Sequence, residues 1–312
     1  MKSLALHVTG RCNLNCSFCY AKGLWQDDMS LKTIDGLCDY AIKNKVEEVV
    51  WIGGEAVLHP SWAQIALLCK ELLISGVKTV RVNTNAMNIR PILTHLPPSH
   101  VSFINVSFYH FPTSDMGKKQ WDGAKTLKAL GYSLRVNFVV CRSNLSYLKE
   151  MIKIAYEELA PLEINVHNIS TAGNERRYHS EEVDPLTYSR FWKEIEKEPY
   201  YDRLSGPCVY LPKKGVKQKD LACIAVRPLR LYVLPDGRAF SCPYIILDAS
   251  QYIRTKYTWD GKDFIENQEH DEHYKSGRGC IYHKDFTSYK TPEGFVALCR
   301  FIKNRKSNYS VC

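Results

Sequence analysis

Six short runs rich in β-branched residues alternate with amphipathic stretches through the first 195 residues of this 312-residue chain. The predicted strands are residues 4–8, 46–52, 78–84, 103–109, 133–140 and 162–168. Helical patterns lie between them at residues 31–42, 60–74, 117–130 and 145–159, and Ser30 is placed to cap the first. This alternation predicts parallel βα units. We therefore predict an α/β fold, a partial (β/α)6 barrel, with its chemistry at the carboxyl ends of the strands.

The alternation stops near residue 195, and this shift marks a predicted domain boundary. The remainder holds six of the twelve cysteines and a predicted hairpin at residues 231–242, with Gly237 at its turn. A segment with so few long apolar runs needs a metal centre to hold it together. We predict a barrel domain at residues 1–195 and a smaller, cysteine-rich α+β domain at residues 196–312.

The amino-acid composition indicates which cellular compartment and which binding partners to expect. The apolar run at the N-terminus is too short for a signal peptide, and no stretch approaches the roughly 20 apolar residues of a membrane span. We therefore expect a cytoplasmic protein without a membrane partner, and in that reducing compartment twelve cysteines favour metal ligands over disulfides. The net charge is +9, but the densest basic run, residues 213–219, has no interleaved aromatic residues. This argues against a nucleic-acid partner.

Residues 11–20, RCNLNCSFCY, place Cys12, Cys16 and Cys19 directly after the first predicted strand. One interpretation puts the three thiols on a buried helix face, although the intervening Asn and Ser residues favour loops. A second is a zinc site completed by His7. A third is a cubane iron–sulfur cluster, in which three protein ligands leave the fourth iron open to a substrate. The cysteine spacing taken alone leaves these three interpretations open.

The C-x3-C-x2-C spacing, with Phe18 just before the last cysteine, resembles the signature of the radical S-adenosylmethionine (radical SAM) enzymes. The resemblance implies a [4Fe-4S] cluster on the three cysteines, with SAM bound to the open iron. It further implies that an electron from the cluster cleaves SAM to a 5′-deoxyadenosyl radical, while the protein orients the cofactors. Phe18 is then expected next to the cofactor.

Residues 51–60, WIGGEAVLHP, resemble the Gly-Gly-Glu-Pro element of the same family, with Ala56 in place of the proline. Glycines allow the backbone to come close to a ligand, and a carboxylate suits an ammonium group. The resemblance therefore implies that Gly53 and Gly54 face SAM and that Glu55 binds its amino group. The alternative is a plain strand-to-helix turn with an exposed glutamate.

Further SAM contacts are predicted from the same resemblance at Thr84, Asn85, Ser107, Arg135 and Asn137. Thr84 and Asn85 match a polar pair in related enzymes, and Ser107 matches a strand-end serine. Arg135 and Asn137 share one face of their strand, and a charge on an inner barrel face is costly unless it is paired. This favours a role at the SAM carboxylate. An outward-facing pair on an edge strand is the alternative.

The last third of the chain carries a second set of cysteines. The span from Cys223 to Cys242, with the form C-x13-G-x4-C, is similar to the start of the auxiliary-cluster extension called SPASM or Twitch. The dense cysteine run of full SPASM domains is missing, so the shorter Twitch form with one auxiliary [4Fe-4S] cluster is expected. The alternative is a set of scattered core thiols. The predicted ligands are Cys223, Cys242, Cys280 and Cys299, with Cys208 or Cys312 as alternatives for the fourth.

Relatives with auxiliary clusters mostly modify ribosomally made peptides, and this is the first expectation for the substrate. Eleven residues precede Cys12, so a peptide enzyme would need a separate leader-peptide-binding protein. The alternative is oxidation or rearrangement of a small molecule such as an aminocyclitol, sugar or nucleoside. The nucleotide cyclisation of molybdenum cofactor synthesis is disfavoured because the chain ends in SNYSVC instead of Gly-Gly. An external electron donor such as flavodoxin or ferredoxin is implied, and a metal-binding scaffold without turnover is the competing class.

Overall fold

The computed structural model describes residues 1–16, 19, 27–168, 181, 183–205, 221–223, 230–241, 257–266, 288–291, 294–297 and 302–304. The strands of the first 195 residues are β1 Ser3–His7, β2 Glu48–Ile52, β3 Thr79–Thr84, β4 Phe103–Phe108, β5 Leu134–Val140 and β6 Glu163–Asn168. The helices are α1 Leu31–Lys43, α2 Trp62–Ile74, α3 Arg90–His95, α4 Asp115–Ala129, α5 Leu145–Ile154 and α6 Pro185–Ile195. All six predicted strands and the four predicted helices are present. The Ser30 hydroxyl caps α1 by accepting from the Thr33 amide at 3.1 Å.

The later strands are short. They are β7 Leu204–Ser205, β8 Leu221–Cys223, β9 Arg230–Val233, β10 Arg238–Phe240, β11 Tyr257–Trp259, β12 Phe264–Glu266, β13 Ser288–Thr291, β14 Gly294–Ala297 and β15 Ile302–Asn304. Among the described residues the main sheet has eleven strands, in the order β12-β11-β10-β9-β1-β2-β3-β4-β5-β6-β7. Neighbours from β1 to β7 pair in parallel. The predicted α/β fold with a parallel sheet is therefore confirmed.

The sheet continues past residue 195. Strand β9 pairs in parallel with β1, and the predicted hairpin is formed by β9 and β10, with Gly237 at a φ of 84°. Beyond it, Trp259 on β11 packs edge-on against Tyr40 of α1, with ring centroids 5.6 Å apart. Strands β9 to β12 thus extend the barrel sheet at the β1 edge, and Trp259 and Phe264 of β11 and β12 pack against Tyr40 of its first helix.

The two faces of the strands differ in character. On β4, Phe108 stacks on Trp121 of α4 at 4.2 Å, so the face that carries Ile104, Val106 and Phe108 packs against the helices. Because side chains alternate along a strand, Asn105 and Ser107 lie on the opposite, inner face. Polar groups therefore line the inside of the barrel, while the apolar core lies between sheet and helices.

An ionic layer crosses the amino ends of the strands. Glu48 accepts from the Ser3 hydroxyl at 2.6 Å, from Arg81 at 2.9 Å and from Arg230 of β9 at 2.5 Å. Burial alone would raise the pKa of Glu48, but the two guanidinium charges and the Ser3 hydroxyl outweigh it and lower the pKa to about 2. This layer ties β9 to β1, β2 and β3.

No helix among the described residues is long and apolar enough to cross a membrane.

Candidate functional site

The loop that carries the three cysteines is joined to residues 53–55 by backbone hydrogen bonds. The Gly54 amide donates to the Thr9 carbonyl and the Glu55 amide to the Arg11 carbonyl, each at 2.7 Å. A Cβ atom on Gly53 would lie 2.5 Å from the Thr9 oxygen, and one on Gly54 would lie 2.4 Å from the Arg11 oxygen. The two glycines are therefore required where this loop begins, whereas the sequence suggested that they make room for a ligand.

The start of the cysteine loop is held by side chains as well. Thr9, fully buried, donates from its hydroxyl to Asp28 at 2.5 Å and accepts from the Arg11 amide at 3.1 Å. The Arg11 guanidinium reaches the same carboxylate at 2.9 Å. The backbone that leads into Cys12 is thus fixed from both sides before the first thiol.

The three thiols lie at the carboxyl edge of the sheet, with Cys12 exposed and Cys16 and Cys19 partly buried. No set of three His, Cys, Asp or Glu side chains in the described part of the chain is arranged to hold one metal ion. Desolvation raises the pKa of Cys12, and the charges of Glu55 and Cys19 raise it further. Three thiols on one loop are nevertheless a donor set that suits an iron–sulfur cluster.

Glu55 is 3% exposed, and its carboxylate accepts two hydrogen bonds. The Thr84 hydroxyl donates to one oxygen, and the Asn85 amide donates to the other at 2.9 Å. Burial raises the pKa of Glu55 to about 7, although both hydrogen bonds lower it. Thr84 and Asn85, predicted as direct cofactor contacts, are therefore seen to orient Glu55.

Asn85 connects three parts of the site. Its side-chain amide donates to Asn13 of the cysteine loop at 2.7 Å, its backbone amide donates to Glu55, and its carbonyl accepts from Gln120 of α4 at 3.1 Å. Asn13 and Gln120 were not predicted from the sequence. Asn13 follows the first cysteine directly, and that adjacency was the available signal.

The inner face at the carboxyl ends of β4 and β5 is polar and uncharged. Ser107 and Asn137 stand opposite each other, and the Asn137 amide donates to the Ser107 hydroxyl at 3.4 Å. Buried amide oxygens of Asn105 and Asn137 have no hydrogen-bond partner within the described ranges. Asn83 stands opposite Asn105, and Asn165 stands opposite Asn137 one inward-facing position closer to the carboxyl ends of the strands; we call these two pairs the asparagine band. The asparagine band could not be predicted from the sequence because its members lie in four separate strands.

Tyr109 follows β4 and extends the same inner face. Burial raises its pKa, and the charges of Cys16, Cys19 and Glu55 add to this effect, whereas a hydrogen bond with Ser107 opposes it. The phenol therefore lies within electrostatic reach of the cysteine loop.

Arg135 stands opposite Asn105 and borders the asparagine band on the side of the amino ends of the strands. Its guanidinium pairs with Glu163 at 3.1 Å and covers the Phe103 ring at 4.0 Å, near the amino ends of β5 and β6. The residue does share a strand face with Asn137, as predicted, but its charge already has a carboxylate partner. The structure therefore gives no support to its predicted role at the SAM carboxylate.

Several predicted residues lie outside the part of the chain that the structure describes. They are Phe18, Cys208, Cys242, Cys280, Cys299 and Cys312. Cys223 ends β8, where its backbone pairs with Ile302 of β15. The auxiliary cluster and its ligands remain predictions.

Comparison with known proteins adds independent findings. Residues 6–155 match the family model of the radical SAM superfamily. The chain is 26% identical over 229 residues to molybdenum cofactor biosynthesis protein 1 of Bos taurus, which covers 67% of this chain and 35% of that protein. It is 21% identical over 295 residues to a probable GTP 3′,8-cyclase of Sulfolobus acidocaldarius, which covers 84% and 88% respectively. The chain thus spans about a third of the bovine relative and most of the Sulfolobus one.

Two solved structures share the fold. SuiB of Streptococcus suis, bound to its precursor peptide SuiA, has a TM-score of 0.63 at 15% identity, covering 93% of this chain and 67% of that one. The protein anSMEcpe with bound AdoMet has a TM-score of 0.67 at 15% identity, covering 90% and 84%. At these identities the likeness shows the architecture alone. It agrees with the α/β fold described above.

Proposed function

Because residues 6–155 match the family model of the radical SAM superfamily, we propose that this chain is an enzyme that cleaves SAM reductively and takes a hydrogen atom from a substrate. One observation carries the proposal. The backbone amides of Gly54 and Glu55 donate hydrogen bonds to the carbonyls of Thr9 and Arg11, and these bonds join the cysteine loop to the buried Glu55 carboxylate. Cys12, Cys16 and Cys19 would hold an iron–sulfur cluster, which would supply the electron for this cleavage when bound. Glu55 would accept a hydrogen bond from the amino group of SAM, and Thr84 and Asn85 hold the Glu55 carboxylate in place for it.

The proposal is tested by anaerobic reconstitution with iron and sulfide, followed by dithionite and SAM. The expected product is 5′-deoxyadenosine, measured by chromatography. Protein that carries at least about four irons per chain and forms no nucleoside would contradict the proposal and favour a scaffold without turnover. A physiological donor such as flavodoxin or ferredoxin should replace dithionite in the same assay.

Replacing Glu55 by glutamine should weaken SAM binding by roughly 10-fold to 100-fold, because a charge-assisted hydrogen bond contributes about 1.5–3 kcal/mol. The pKa of Glu55 is about 7. Wild-type affinity should therefore rise as the pH increases through about 7, as the carboxylate ionises, and level off above it. Equilibrium dialysis between pH 6 and pH 8.5 measures both effects. The exposed Glu47→Gln variant is the control, and an unchanged pH profile in Glu55→Gln would refute the assignment.

The later part of the chain is proposed to form a Twitch-like domain, residues 196–312, with one auxiliary [4Fe-4S] cluster. Its proposed ligands are Cys223, Cys242, Cys280 and Cys299. Support comes from the C-x13-G-x4-C spacing and from six cysteines in this third of the chain. Such a cluster would bind the substrate or accept an electron from it.

For the substrate we favour a peptide, presented with a separate leader-peptide-binding protein. Support comes from the asparagine band, whose buried amide oxygens at Asn105 and Asn137 suit the N–H groups of an uncharged ligand. SuiB, which has the same fold, is seen with a precursor peptide. A short precursor encoded beside this chain should then stimulate 5′-deoxyadenosine formation and change mass.

A nucleotide is the second candidate, because several relatives are probable GTP 3′,8-cyclases. GTP added to the reconstituted protein should be consumed if this candidate is right. The two assays separate the candidates, because GTP turnover requires no precursor peptide. Consumption of GTP without any response to the peptide would reverse our order.

A further inference from the structure

Gln120 is a buried side chain on α4 that has no place in the chemistry described so far. The residue is fully buried, and its side-chain amide donates to the Asn85 carbonyl at 3.1 Å and to the Ser107 carbonyl at 3.4 Å. These carbonyls end β3 and β4, on the helix side of the sheet. The Gln120 amide group thus links the end of β3, where Asn85 donates to Glu55, with the end of β4, where Ser107 lies.

The face of α4 that carries Gln120 is built to lie against the backbone. Gly117 and Gly123 are three residues before and after it, and residues three apart share a helix face. A Cβ atom on Gly117 would lie 1.9 Å from the Phe111 oxygen, and one on Gly123 would lie 2.2 Å from the Ala86 oxygen. Both glycines let the helix come close enough for the Gln120 amide to reach two carbonyls.

The segment that Gln120 holds is itself strained. Ala86 has a φ of 57°, a left-handed conformation that is costly for residues other than glycine. Its backbone amide donates to the Thr84 hydroxyl at 3.1 Å. Such a turn persists only where the surroundings fix it, and α4 supplies that support through Gln120 and Gly123.

The chemistry of the side chain is specific. The Gln120 amide oxygen has no hydrogen-bond partner in the described residues, so the side chain is useful here for its two N–H donors. A methionine of similar length would remove the unsatisfied oxygen but would supply neither donor. A lysine or arginine would bring donors at the cost of a buried charge.

We propose that Gln120 is a positioning residue for SAM binding. It fixes the distance between the ends of β3 and β4 and, through Asn85, the orientation of Glu55 and its spacing from the cysteine loop. Asn85 transmits the effect of Gln120 to the site because it also donates hydrogen bonds to Glu55 and to Asn13. The inference rests on the proposed function, since it concerns the same cofactor site.

The test compares Gln120→Met with a matched control, Tyr132→Phe. The Tyr132 hydroxyl also donates from a buried position to a backbone carbonyl, that of Leu96 at 2.6 Å, but it precedes the amino end of β5. Both variants should lower the melting temperature by similar amounts. Only Gln120→Met should weaken SAM binding, by about tenfold for the loss of two neutral hydrogen bonds, as measured by equilibrium dialysis on reconstituted protein.

Two further measurements separate positioning from general loss of structure. At saturating SAM, Gln120→Met should form 5′-deoxyadenosine at a rate near that of wild type, because the loss lies in binding. Gln120→Asn, shorter by one methylene, should fold and show a smaller loss of SAM affinity. Equal SAM affinity in Gln120→Met, Gln120→Asn and Tyr132→Phe would overturn the inference. Wild-type protein that binds no SAM would instead overturn the proposed function, and this inference with it.

Discussion

Protein in which Cys12, Cys16 and Cys19 are all replaced by alanine should form no 5′-deoxyadenosine from SAM under reducing conditions. Each iron of a cubane cluster needs a ligand, and these three thiols are the ones carried by the loop beside Glu55. Each single variant should lose nearly all activity as well. The control is Cys38→Ala, a buried thiol on the apolar face of α1, which should keep wild-type activity.

Iron analysis of the same proteins tests the second cluster. Wild-type protein should bind about eight irons per chain, and the triple variant about four. A triple variant without iron would remove the auxiliary cluster from the proposal. Nucleoside formation by the triple variant would show that the cysteine loop is not the site of SAM cleavage.

Replacing Glu48 by glutamine should lower the free energy of unfolding by about 3 kcal/mol, because it leaves two largely buried guanidinium groups without their carboxylate. Glu48 is the shared partner of Arg81 and Arg230, and its side chain is 18% exposed. The adjacent Glu47→Gln is the matched control. Glu47 pairs with Lys78 at 3.2 Å on the surface, at 45% exposure, and its loss should cost at most about 1 kcal/mol.

The pH dependence gives this prediction a sign. The pKa of Glu48 is about 2 in the folded protein, below its value in an unfolded chain. The contribution of Glu48 to the free energy of unfolding is therefore complete above about pH 4.5, and it is lost as the pH falls toward 2. Urea unfolding should show a difference between wild type and Glu48→Gln that is constant near neutrality and shrinks below about pH 4.5. Glu48→Gln with the stability of Glu47→Gln would mean that the ionic layer does not anchor β9.

Much of the fold could be predicted because the signals are local. The six strands of the barrel and the Ser30 cap of α1 follow from residue type and periodicity over a few neighbours. The joining of β9 to β1 could not be predicted, because it pairs residues more than two hundred positions apart. This parallel pairing is what continues the sheet across the domain boundary predicted near residue 195.

The candidate site divides in the same way. The three cysteines and the Gly-Gly-Glu element stand out in the sequence because each is a compact motif. Gln120 does not, since a polar residue in a helix ordinarily faces solvent, and here two glycines of the same helix bring it against the sheet. The role of Arg135 at the SAM carboxylate stays a prediction: its strand face could be predicted from the sequence, whereas its ion pair with Glu163 could not.

The sequence by itself determined the order of strands and helices, the thiols, and the carboxylate that follows the second strand, because these depend on neighbours along the chain. The tertiary structure alone decided what each side chain meets. It showed that the glycines serve the cysteine loop, that Thr84 and Asn85 orient Glu55, and that α4 supports them. The physical reason is that hydrogen bonds and ion pairs act over about 3 Å, and only folding brings residues from distant strands within that range.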